Sequence, residues 1–573
     1  MADEGTHGYS RRLTEYGDRE FARFVRQSFA SSQGFAPKSL GKPIIGIVNT
    51  YSELNNCHRL LPDLVVAVKR GVWAAGGLPL EFPVISLGEI FLHPTSMWLR
   101  NLMSMDVEAM LRAQPLDAVV LLGGCDKTLP ALLMGAASAD LPAIVVAAGP
   151  MLPGEFEGER VGACSDCRRF WGAYRRGERE RSELLELEAQ LAPTAGTCGV
   201  MGTASTMACL TEALGMMLPG GAAIPAVYAE RLRQGEWSGE RAVALAEERL
   251  RPSQIMTEQA FDNALRVLLA LGGSTNAIIH LTAIAGRLGI RLSLDRLNEL
   301  SACTPVLAAV KPSGENYMVD FHHAGALDVL LPELRDDLHL AAPTVAGITL
   351  GERLERRRRR APDAQVIYPR SRPFQEAGAL LALRGNLAPE GAILKRSAAS
   401  PHLLQHSGRA VVFRSLADLA QRVDDPALEV RADDVLVLQN AGPRGGPGMP
   451  EAGYLPIPKQ LTGVKDMLRL SDARMSGTAF GTVVLHITPE AALGGPLALV
   501  RDGDRIELDA ANARLSLAVN ERELARRREE WRPPPTPPRG YERLYHEQVQ
   551  GADLGADFAF LRHEALSDGA AAG

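Results

Sequence analysis

Three cysteines are candidates for chemistry because each lies in a short polar segment that contains glycine or asparagine. They are Cys57 in NNCHR, Cys125 in GGCDK and Cys198 in GTCGVMG. Their wide separation gives no local metal-binding motif, and each taken alone is more simply explained as a small buried residue than as a ligand. If the fold brings them together, three thiolates supply three ligands to an iron–sulfur cluster. The position left open would allow an iron to act as a Lewis acid on a substrate hydroxyl.

The sequence also contains one CxxC motif, Cys164-Ser-Asp-Cys167. Such a pair indicates a redox site or half of a zinc site, but no second pair lies nearby to complete the zinc ligands. The sequence therefore assigns this pair no definite role.

Acidic residues accompany the same segments. Asp126 and Lys127 adjoin Cys125, Glu89 follows an apolar run, and Glu451 closes the glycine-rich segment GPRGGPGMPE (442–451). Carboxylates from separate loops suit Mg²⁺, although a single acidic residue is more commonly a solvated surface group. The glycine-rich segments lack the GK[ST] ending of a phosphate-binding loop, so nucleotide binding is not indicated.

The segment SDARMSGT (471–478) places Ser476 and Thr478 on either side of a glycine. No GxSxG motif surrounds the serine, which argues against a serine hydrolase triad. A simple turn is the alternative explanation.

The elements that must position these residues alternate regularly. Apolar runs predict strands at 43–50, 80–86, 118–124 and 142–149, and helical periodicity occupies 60–75, 95–113 and 128–137. This alternation predicts an α/β fold with a doubly wound parallel sheet, covered by helices on both faces. Ligands bind beyond the carboxyl ends of such strands. The segments with Cys57 and Cys125 each follow a predicted strand.

The pattern changes along the chain. The apolar pattern over residues 182–289 is mostly helical, and the basic stretch Arg356–Arg360 is typical of a solvated helix end or linker. Beyond it, short apolar runs predict strands at 409–413, 434–439, 482–487 and 505–508. We therefore expect an α/β domain over 1–360 and a β-rich, barrel-like domain over 361–573 that carries Glu451 and Ser476. The proline-rich stretch 531–540 predicts a stiff, extended connector.

Composition excludes several classes of protein. The 573 residues carry a net charge of −6 and 46% are hydrophobic, which is typical of a soluble globular protein and not of a nucleic-acid binder. No apolar run is long enough to span a membrane, and the first residues do not resemble a secretory signal. Seven cysteines are too few for a disulfide scaffold. We therefore expect a cytoplasmic protein without nucleic-acid or membrane partners.

Six segments together resemble the family of dihydroxy-acid, 6-phosphogluconate and sugar-acid dehydratases. They occur in family order between residues 49 and 478, and they are NTYSELNNCH, GGCDKTLPALLMGAAS, GTCGVMGTASTMACLTEALGMMLPG, GGSTNAIIHL, GPRGGPGMPE and SDARMSGT. GGCDKT and GGPGMPE are rather specific, and their combination is highly specific. It is this resemblance, and not the spacing of the cysteines, that favours a ligand role for them over a role as small buried residues.

The resemblance implies a role for each matching residue. Three residues match the cysteine ligands of the cluster: Cys57, Cys125 and Cys198. Three others match the carboxylate ligands of Mg²⁺: Glu89, Asp126 and Glu451. Lys127 matches a lysine that becomes carbamylated in such enzymes and supplies a further oxygen, which would replace a cation beside Mg²⁺ with an anion. Ser476 matches the serine assigned as the base, and Thr478 would help to bind substrate.

The implied reaction is dehydration of a 2,3-dihydroxy acid to a 2-keto-3-deoxy acid. Mg²⁺ would stabilise the enolate that forms when C2 loses its proton, and the open iron would make the 3-hydroxyl a better leaving group. Neighbouring positive charge would have to lower the pKa of Ser476 before it could act as a base.

Several motifs look closer to the sugar-acid branch, such as L-arabinonate or D-xylonate dehydratases, than to dihydroxy-acid dehydratase of branched-chain amino-acid synthesis, which remains the alternative. The sugar-acid branch implies a [2Fe–2S] cluster, and the alternative often a [4Fe–4S] cluster. His322 and His323 stand where that branch has aromatic residues, so either a substrate contact or a structural role is open for them. The resemblance also implies a homodimer or homotetramer acting on a small sugar acid.

Overall fold

The computed structural model describes residues 7–11, 13, 17–356, 361–451, 455–475 and 481–563. The first sheet is built from the apolar runs that the sequence indicates. Its strands are β1 (Ile44–Asn49), β2 (Leu78–Pro83), β3 (Ala118–Gly123) and β4 (Ala143–Ala147). All four are parallel, in the order β2-β1-β3-β4, which confirms the predicted parallel sheet. Strand β2 ends earlier than predicted, and the amide of Ile85 donates instead to the carboxylate of Asp106.

Eighteen α-helices occur in the part of the chain that the structure describes. They are α1 (Arg19–Ser31), α2 (Leu61–Ala74), α3 (Ser96–Ala113), α4 (Thr128–Ala139), α5 (Asp166–Arg175), α6 (Arg181–Leu191), α7 (Thr203–Ala213), α8 (Ala229–Glu248), α9 (Pro252–Ile255), α10 (Glu258–Ala270), α11 (Asn276–Arg287), α12 (Leu294–Cys303), α13 (Met318–His323), α14 (Leu327–Glu333), α15 (Leu350–Arg356), α16 (Leu416–Arg422), α17 (Glu521–Glu530) and α18 (Gly540–Gln548).

The order of the strands determines where a ligand site can form. The chain moves from β1 outward to β2 and then returns past β1 to β3, so right-handed crossovers place α2 and α3 on opposite faces of the sheet. Helix α8 packs on α2, and α4 packs on α3. The change of direction falls between β1 and β3, and α/β sheets bind ligands at this switch point, outside the carboxyl ends of the strands.

The second part of the chain forms a closed eight-stranded barrel, which confirms the predicted β-rich, barrel-like fold. In barrel order the strands are β10 (Val435–Leu438), β11 (Arg469–Ser471), β12 (Val483–Thr488), β8 (Ala388–Leu394), β7 (Leu381–Gly385), β14 (Arg514–Leu517), β13 (Arg505–Asp509) and β9 (Gln405–Phe413). Four were predicted at about these positions. The other four, β7, β8, β11 and β14, were not. A small hairpin, β5 (Gly154–Phe156) and β6 (Glu159–Val161), lies outside both sheets.

The last part of the described chain returns to the first sheet's helices. Residues 531–539 have no regular secondary structure, as their prolines predict, and α18 follows them. Tyr541 donates to the carbonyl of Trp98 in α3 at 2.6 Å, and Arg287 in α11 forms a buried ion pair with Asp557. None of the helices in the described ranges is both long and apolar enough to cross a membrane.

Candidate functional site

The three cysteine segments meet at the carboxyl edge of the first sheet. Cys57 lies in a short turn after β1, where Asn55 accepts its backbone amide proton at 3.1 Å. Cys125 follows β3 directly. Cys198 adjoins Thr197, whose backbone bridges to Pro150 just beyond β4. Gly124 lets these segments approach closely, because a Cβ atom there would lie 2.7 Å from that of Ala148.

His58 fastens the Cys57 segment to the Cys125 segment. Its Nε2 accepts the amide proton of Gly124 at 2.9 Å, and its Nδ1 lies 2.7 Å from the carbonyl oxygen of Thr50. This pattern requires a neutral imidazole protonated at Nδ1. Burial lowers the pKa of His58 to about 4, which keeps the ring neutral. No role was predicted for His58, although it adjoins Cys57 in the sequence.

The thiols form two pairs. Cys57 and Cys125 are hydrogen-bonded to each other, and this contact together with burial raises the pKa of Cys125. The Sγ of Cys198 lies 3.0 Å from the Sγ of Cys164, a residue left without a role in the sequence analysis. The hydrogen bond between these two thiols raises the pKa of Cys198, and the charge of Cys57 acts in the same direction, so the pairs lie within electrostatic reach of each other. The fold therefore brings the three expected cysteines together and adds a fourth.

The acidic residues converge on the ammonium group of Lys127, which is fully buried. The Nζ of Lys127 lies 3.0 Å from a carboxylate oxygen of Glu89 and 3.7 Å from one of Glu451, and it also pairs with Asp126. Burial and the charge of Arg474 lower the pKa of Lys127, but the three carboxylates outweigh them and the net shift is upward. Cys125 donates to Asp126 at 3.3 Å, so the thiols and the carboxylates are direct neighbours.

Arg474, for which no role was predicted, joins the two parts of the chain at this site. Its Nη1 donates to Glu451 at 2.7 Å and its Nη2 donates to Glu89 at 3.1 Å. The guanidinium is buried, and a fork of this shape can hold two carboxylates at fixed positions. Its only signal in the sequence is its place two residues before Ser476.

Glu89 is also held by the start of helix α3. Its oxygens accept a proton from the hydroxyl of Thr95 at 2.8 Å and from the backbone amide of Ser96 at 3.2 Å. Burial opposes its ionisation, but the charges of Lys127 and Arg474 outweigh burial and hold the pKa of Glu89 far below its usual range. These contacts favour the ionised carboxylate of Glu89.

The glycine-rich segment before Glu451 is fixed from two sides. Gly448, at φ +82°, lies so close to Trp98 that a Cβ atom would come within 2.4 Å of the Trp98 backbone nitrogen. On the other side, Glu490 accepts the backbone amide protons of Arg444 and Gly445 at 2.9 Å. This fixation accounts for the placement of Glu451 beside Arg474, with which it forms an isolated β-bridge.

Ser476 and Thr478 lie outside the described residues, so their predicted roles stay predictions. His322 and His323, at the end of α13, contact Tyr228: the ring of His323 stacks on it, and His322 lies edge-on. Tyr228 packs against the same apolar cluster, Val200, Tyr317 and Val319, as Cys164 and Cys198 do.

The two donor sets differ in chemistry. Thiolates are soft ligands of the kind that hold iron–sulfur clusters, whereas carboxylates are hard ligands that suit Mg²⁺. Within the described ranges no group of three Cys, His, Asp or Glu side chains already forms a metal site, and Lys127 occupies the point on which the carboxylates converge. The residue types present suit both kinds of cofactor, and a cation can take the place among the carboxylates only when the positive charge of Lys127 is removed.

The sequence matches the models of a known protein family. The N-terminal model of the dihydroxy-acid/6-phosphogluconate dehydratase family matches residues 42–353, and the C-terminal model matches residues 365–556. The chain belongs to this family. It is therefore a dehydratase, that is, a hydro-lyase, as the resemblance of its motifs implied.

Individual relatives are similar over nearly the whole chain. The L-arabinonate dehydratase of Rhizobium leguminosarum bv. trifolii is 49% identical over 554 residues, which cover 96% of this chain and 95% of that protein. The 6-deoxy-6-sulfo-D-gluconate dehydratase of Pseudomonas putida is 48% identical, with 91% of each chain covered. A dihydroxy-acid dehydratase of Caldicellulosiruptor saccharolyticus is 39% identical, over 94% of this chain and 98% of that protein.

Proposed function

We propose that this dehydratase removes water from a free sugar acid, of the L-arabinonate or D-xylonate type, and releases the 2-keto-3-deoxy acid. One observation carries the proposal: a group of thiols and a group of carboxylates are direct neighbours, joined at Cys125 and Asp126. An iron–sulfur cluster on the thiols and Mg²⁺ on the carboxylates would lie side by side. This arrangement suits a reaction that must stabilise an enolate at one carbon and detach a hydroxide from the next.

In this proposal Cys57, Cys125 and Cys198 hold an iron–sulfur cluster, with [2Fe–2S] favoured over [4Fe–4S]. Glu89, Asp126 and Glu451 hold Mg²⁺. When bound, the two groups supply Lewis acidity toward the carboxylate and hydroxyl oxygens of the substrate. Arg474 keeps Glu89 and Glu451 at a fixed separation, so little reorganisation is needed when the substrate enters.

Lys127 is the residue whose chemical state decides whether a cation can bind. As an ammonium it competes with Mg²⁺ for all three carboxylates. Reaction of the neutral amine with carbon dioxide forms a carbamate and releases a proton, which turns the competing cation into an anionic oxygen ligand. We propose that Lys127 is carbamylated in the active protein.

The proton at C2 of the substrate needs a base, for which we propose Ser476, with Thr478 contacting the substrate. Ser476 is two residues beyond Arg474 in the chain. General-base catalysis contributes about 10²–10⁴-fold, so Ser476→Ala should lower kcat by that order while the cluster absorbance is unchanged. Near-normal turnover in Ser476→Ala would require another base.

The identities to the relatives support the proposed substrate class. Two sugar-acid dehydratases are 48–49% identical to this chain, whereas dihydroxy-acid dehydratases such as that of Caldicellulosiruptor saccharolyticus are about ten percentage points less similar. This difference favours a sugar acid over 2,3-dihydroxyisovalerate. We also propose that the protein works as a homodimer or homotetramer.

The reaction can be tested in D₂O with anaerobically purified protein, Mg²⁺ and L-arabinonate or D-xylonate. Loss of the 3-hydroxyl and tautomerisation of the enol place one solvent-derived deuterium at C3, which proton NMR detects. Formation of a 2-keto-3-deoxy acid with one deuterium at C3 is the expected result. Absence of a keto acid from every sugar acid tested would contradict the proposed function.

A further inference from the structure

Cys164 lies at the cysteine site although no ligand role was expected for it. Its Sγ is 3.0 Å from that of Cys198, clearly longer than a disulfide bond of about 2.05 Å. The two thiols are therefore in direct contact without a covalent bond. The charges of Glu451 and Asp126 also act on Cys164, which places its sulfur within electrostatic reach of the carboxylate group.

One lysine fixes the segments on both sides of this contact. The backbone carbonyl of Lys311 accepts the amide proton of Met201, three residues after Cys198, at 2.9 Å. The ammonium of the same residue reaches Asp166, two residues after Cys164, at 3.3 Å. Tyr317 adds a bond of 2.8 Å from its hydroxyl to Asp166. Cys164 is therefore held opposite Cys198 by polar contacts that do not involve the thiols.

The backbone of Cys164 is also unusual. Its φ is +78°, and that of Cys125 is +59°, a region that residues other than glycine rarely adopt. Each thiol pair thus combines one cysteine in this left-handed conformation with one that is not: Cys125 with Cys57, and Cys164 with Cys198. Such conformations persist where the surrounding structure enforces them and are concentrated at functional sites.

We propose that Cys164 is a fourth cysteine donor to the iron–sulfur cluster in the absence of substrate. It would occupy the coordination position that three cysteines leave open, and it would yield that position to the substrate hydroxyl. Four thiolates are the usual ligand set of a [2Fe–2S] cluster. This inference rests on the proposed function, because that proposal brings the cluster to Cys57, Cys125 and Cys198.

Cys167 provides the matched control, since it belongs to the same CxxC motif and is also partly buried. The variants Cys164→Ala, Cys167→Ala and Cys198→Ala are purified anaerobically without substrate. The measurements are iron content, visible absorption and the electron paramagnetic resonance spectrum of the reduced protein. We expect Cys198→Ala to lose the cluster and Cys167→Ala to match the wild type.

The Cys164→Ala variant should keep iron but show shifted absorption maxima and shifted g-values. Its cluster should also decay in air about tenfold faster than that of the wild type. This is the lower end of the loss of metal affinity that follows removal of a group supporting a metal site. Spectra and a decay rate of Cys164→Ala that coincide with those of the wild type would overturn the inference.

A measurement on the wild-type protein avoids variants that fail to fold. Iodoacetamide labelling before and after removal of iron by a chelator is read by mass spectrometry at each cysteine. We expect Cys164 to gain label together with Cys198 when iron is removed, whereas the labelling of Cys167 stays unchanged. Equal labelling of Cys164 in both states would contradict its role as a ligand. A wild-type protein without any cluster would instead count against the proposed function.

Discussion

Arg474 and Glu89 are 385 residues apart in the chain, yet the Nη2 of Arg474 lies 3.1 Å from the Oε1 of Glu89. Glu89 belongs to the loop after β2, and Arg474 follows β11 of the barrel. The contact therefore joins the two parts of the chain at the carboxylate group. Neither part alone contains all the carboxylates of the site together with Arg474.

Replacing Arg474 by lysine should weaken the site without unfolding it. A single ammonium cannot reach Glu89 and Glu451 together, as the guanidinium fork does. We expect the Mg²⁺ concentration needed for half-maximal activity to rise about 10–100-fold, the usual cost of losing a group that orients metal ligands. A magnesium titration of Arg474→Lys whose midpoint equals that of the wild type would show that Arg474 does not position these carboxylates.

Lys127→Arg should remove the Mg²⁺-dependent turnover, because arginine keeps its positive charge among the three carboxylates and cannot form a carbamate. We expect a loss of at least about 10²-fold in kcat, comparable to the removal of one electrostatic stabiliser of a transition state. Thermal melting should show that the variant still folds. The exposed Lys459→Arg is the control and should behave as the wild type. Wild-type turnover of Lys127→Arg would rule out a carbamate at this position.

His58→Phe tests the connection between the two cysteine segments. The substitution keeps a ring of similar size but leaves the buried amide of Gly124 without its acceptor, at a cost of about 1–3 kcal/mol. We expect a lower melting temperature and a lower iron content after purification. The exposed His402→Phe should change neither quantity. An unaltered iron content in His58→Phe would mean that the two segments are held together by other contacts.

Glu490 should make stability depend on pH. Burial and the nearby charge of Asp472 raise the pKa of Glu490 to about 7, whereas an unfolded glutamate titrates near about 4.3. The folded protein therefore binds this proton more tightly, and the free energy of unfolding decreases as the pH rises between these two values.

The variant Glu490→Gln lacks this titration, so its melting temperature should fall less between pH 5 and pH 8 than that of the wild type. Asp472, whose pKa burial raises to about 6, contributes a decline of the same sign that both proteins retain. Exposed Glu507→Gln serves as the control. Parallel declines in the wild type and Glu490→Gln would contradict the raised pKa.

Much of the site could be predicted because its segments follow strong apolar runs. The segments with Cys57 and Cys125 follow the buried strands β1 and β3, so the carboxyl-edge rule places both segments at the same edge of the sheet. The family and the dehydratase class are confirmed, as is the α/β fold with a barrel. The assignment of cluster and metal ligands stays a prediction.

Other features of the fold and the site could not be predicted, because the sequence around them has no distinctive pattern. Strands β11 and β14 contain three and four residues, too short for an alternating pattern, and the closure of the barrel depends on their pairing with distant strands. Arg474 is one arginine among many in the sequence, and its role arises only where the two parts of the chain meet. The CxxC motif pairs Cys164 with Cys167, three positions along the chain, whereas in the structure the Sγ of Cys164 lies 3.0 Å from that of Cys198.

The central claim is tested most directly by the specificity of the anaerobically purified protein. The ratio kcat/KM for keto-acid release is measured with Mg²⁺ on L-arabinonate, D-xylonate, D-galactonate, D-gluconate, 6-phosphogluconate and 2,3-dihydroxyisovalerate. We predict that a free sugar acid has the highest kcat/KM and that 2,3-dihydroxyisovalerate is a poor substrate. Preference for 2,3-dihydroxyisovalerate would contradict the account and assign the protein to branched-chain amino-acid synthesis.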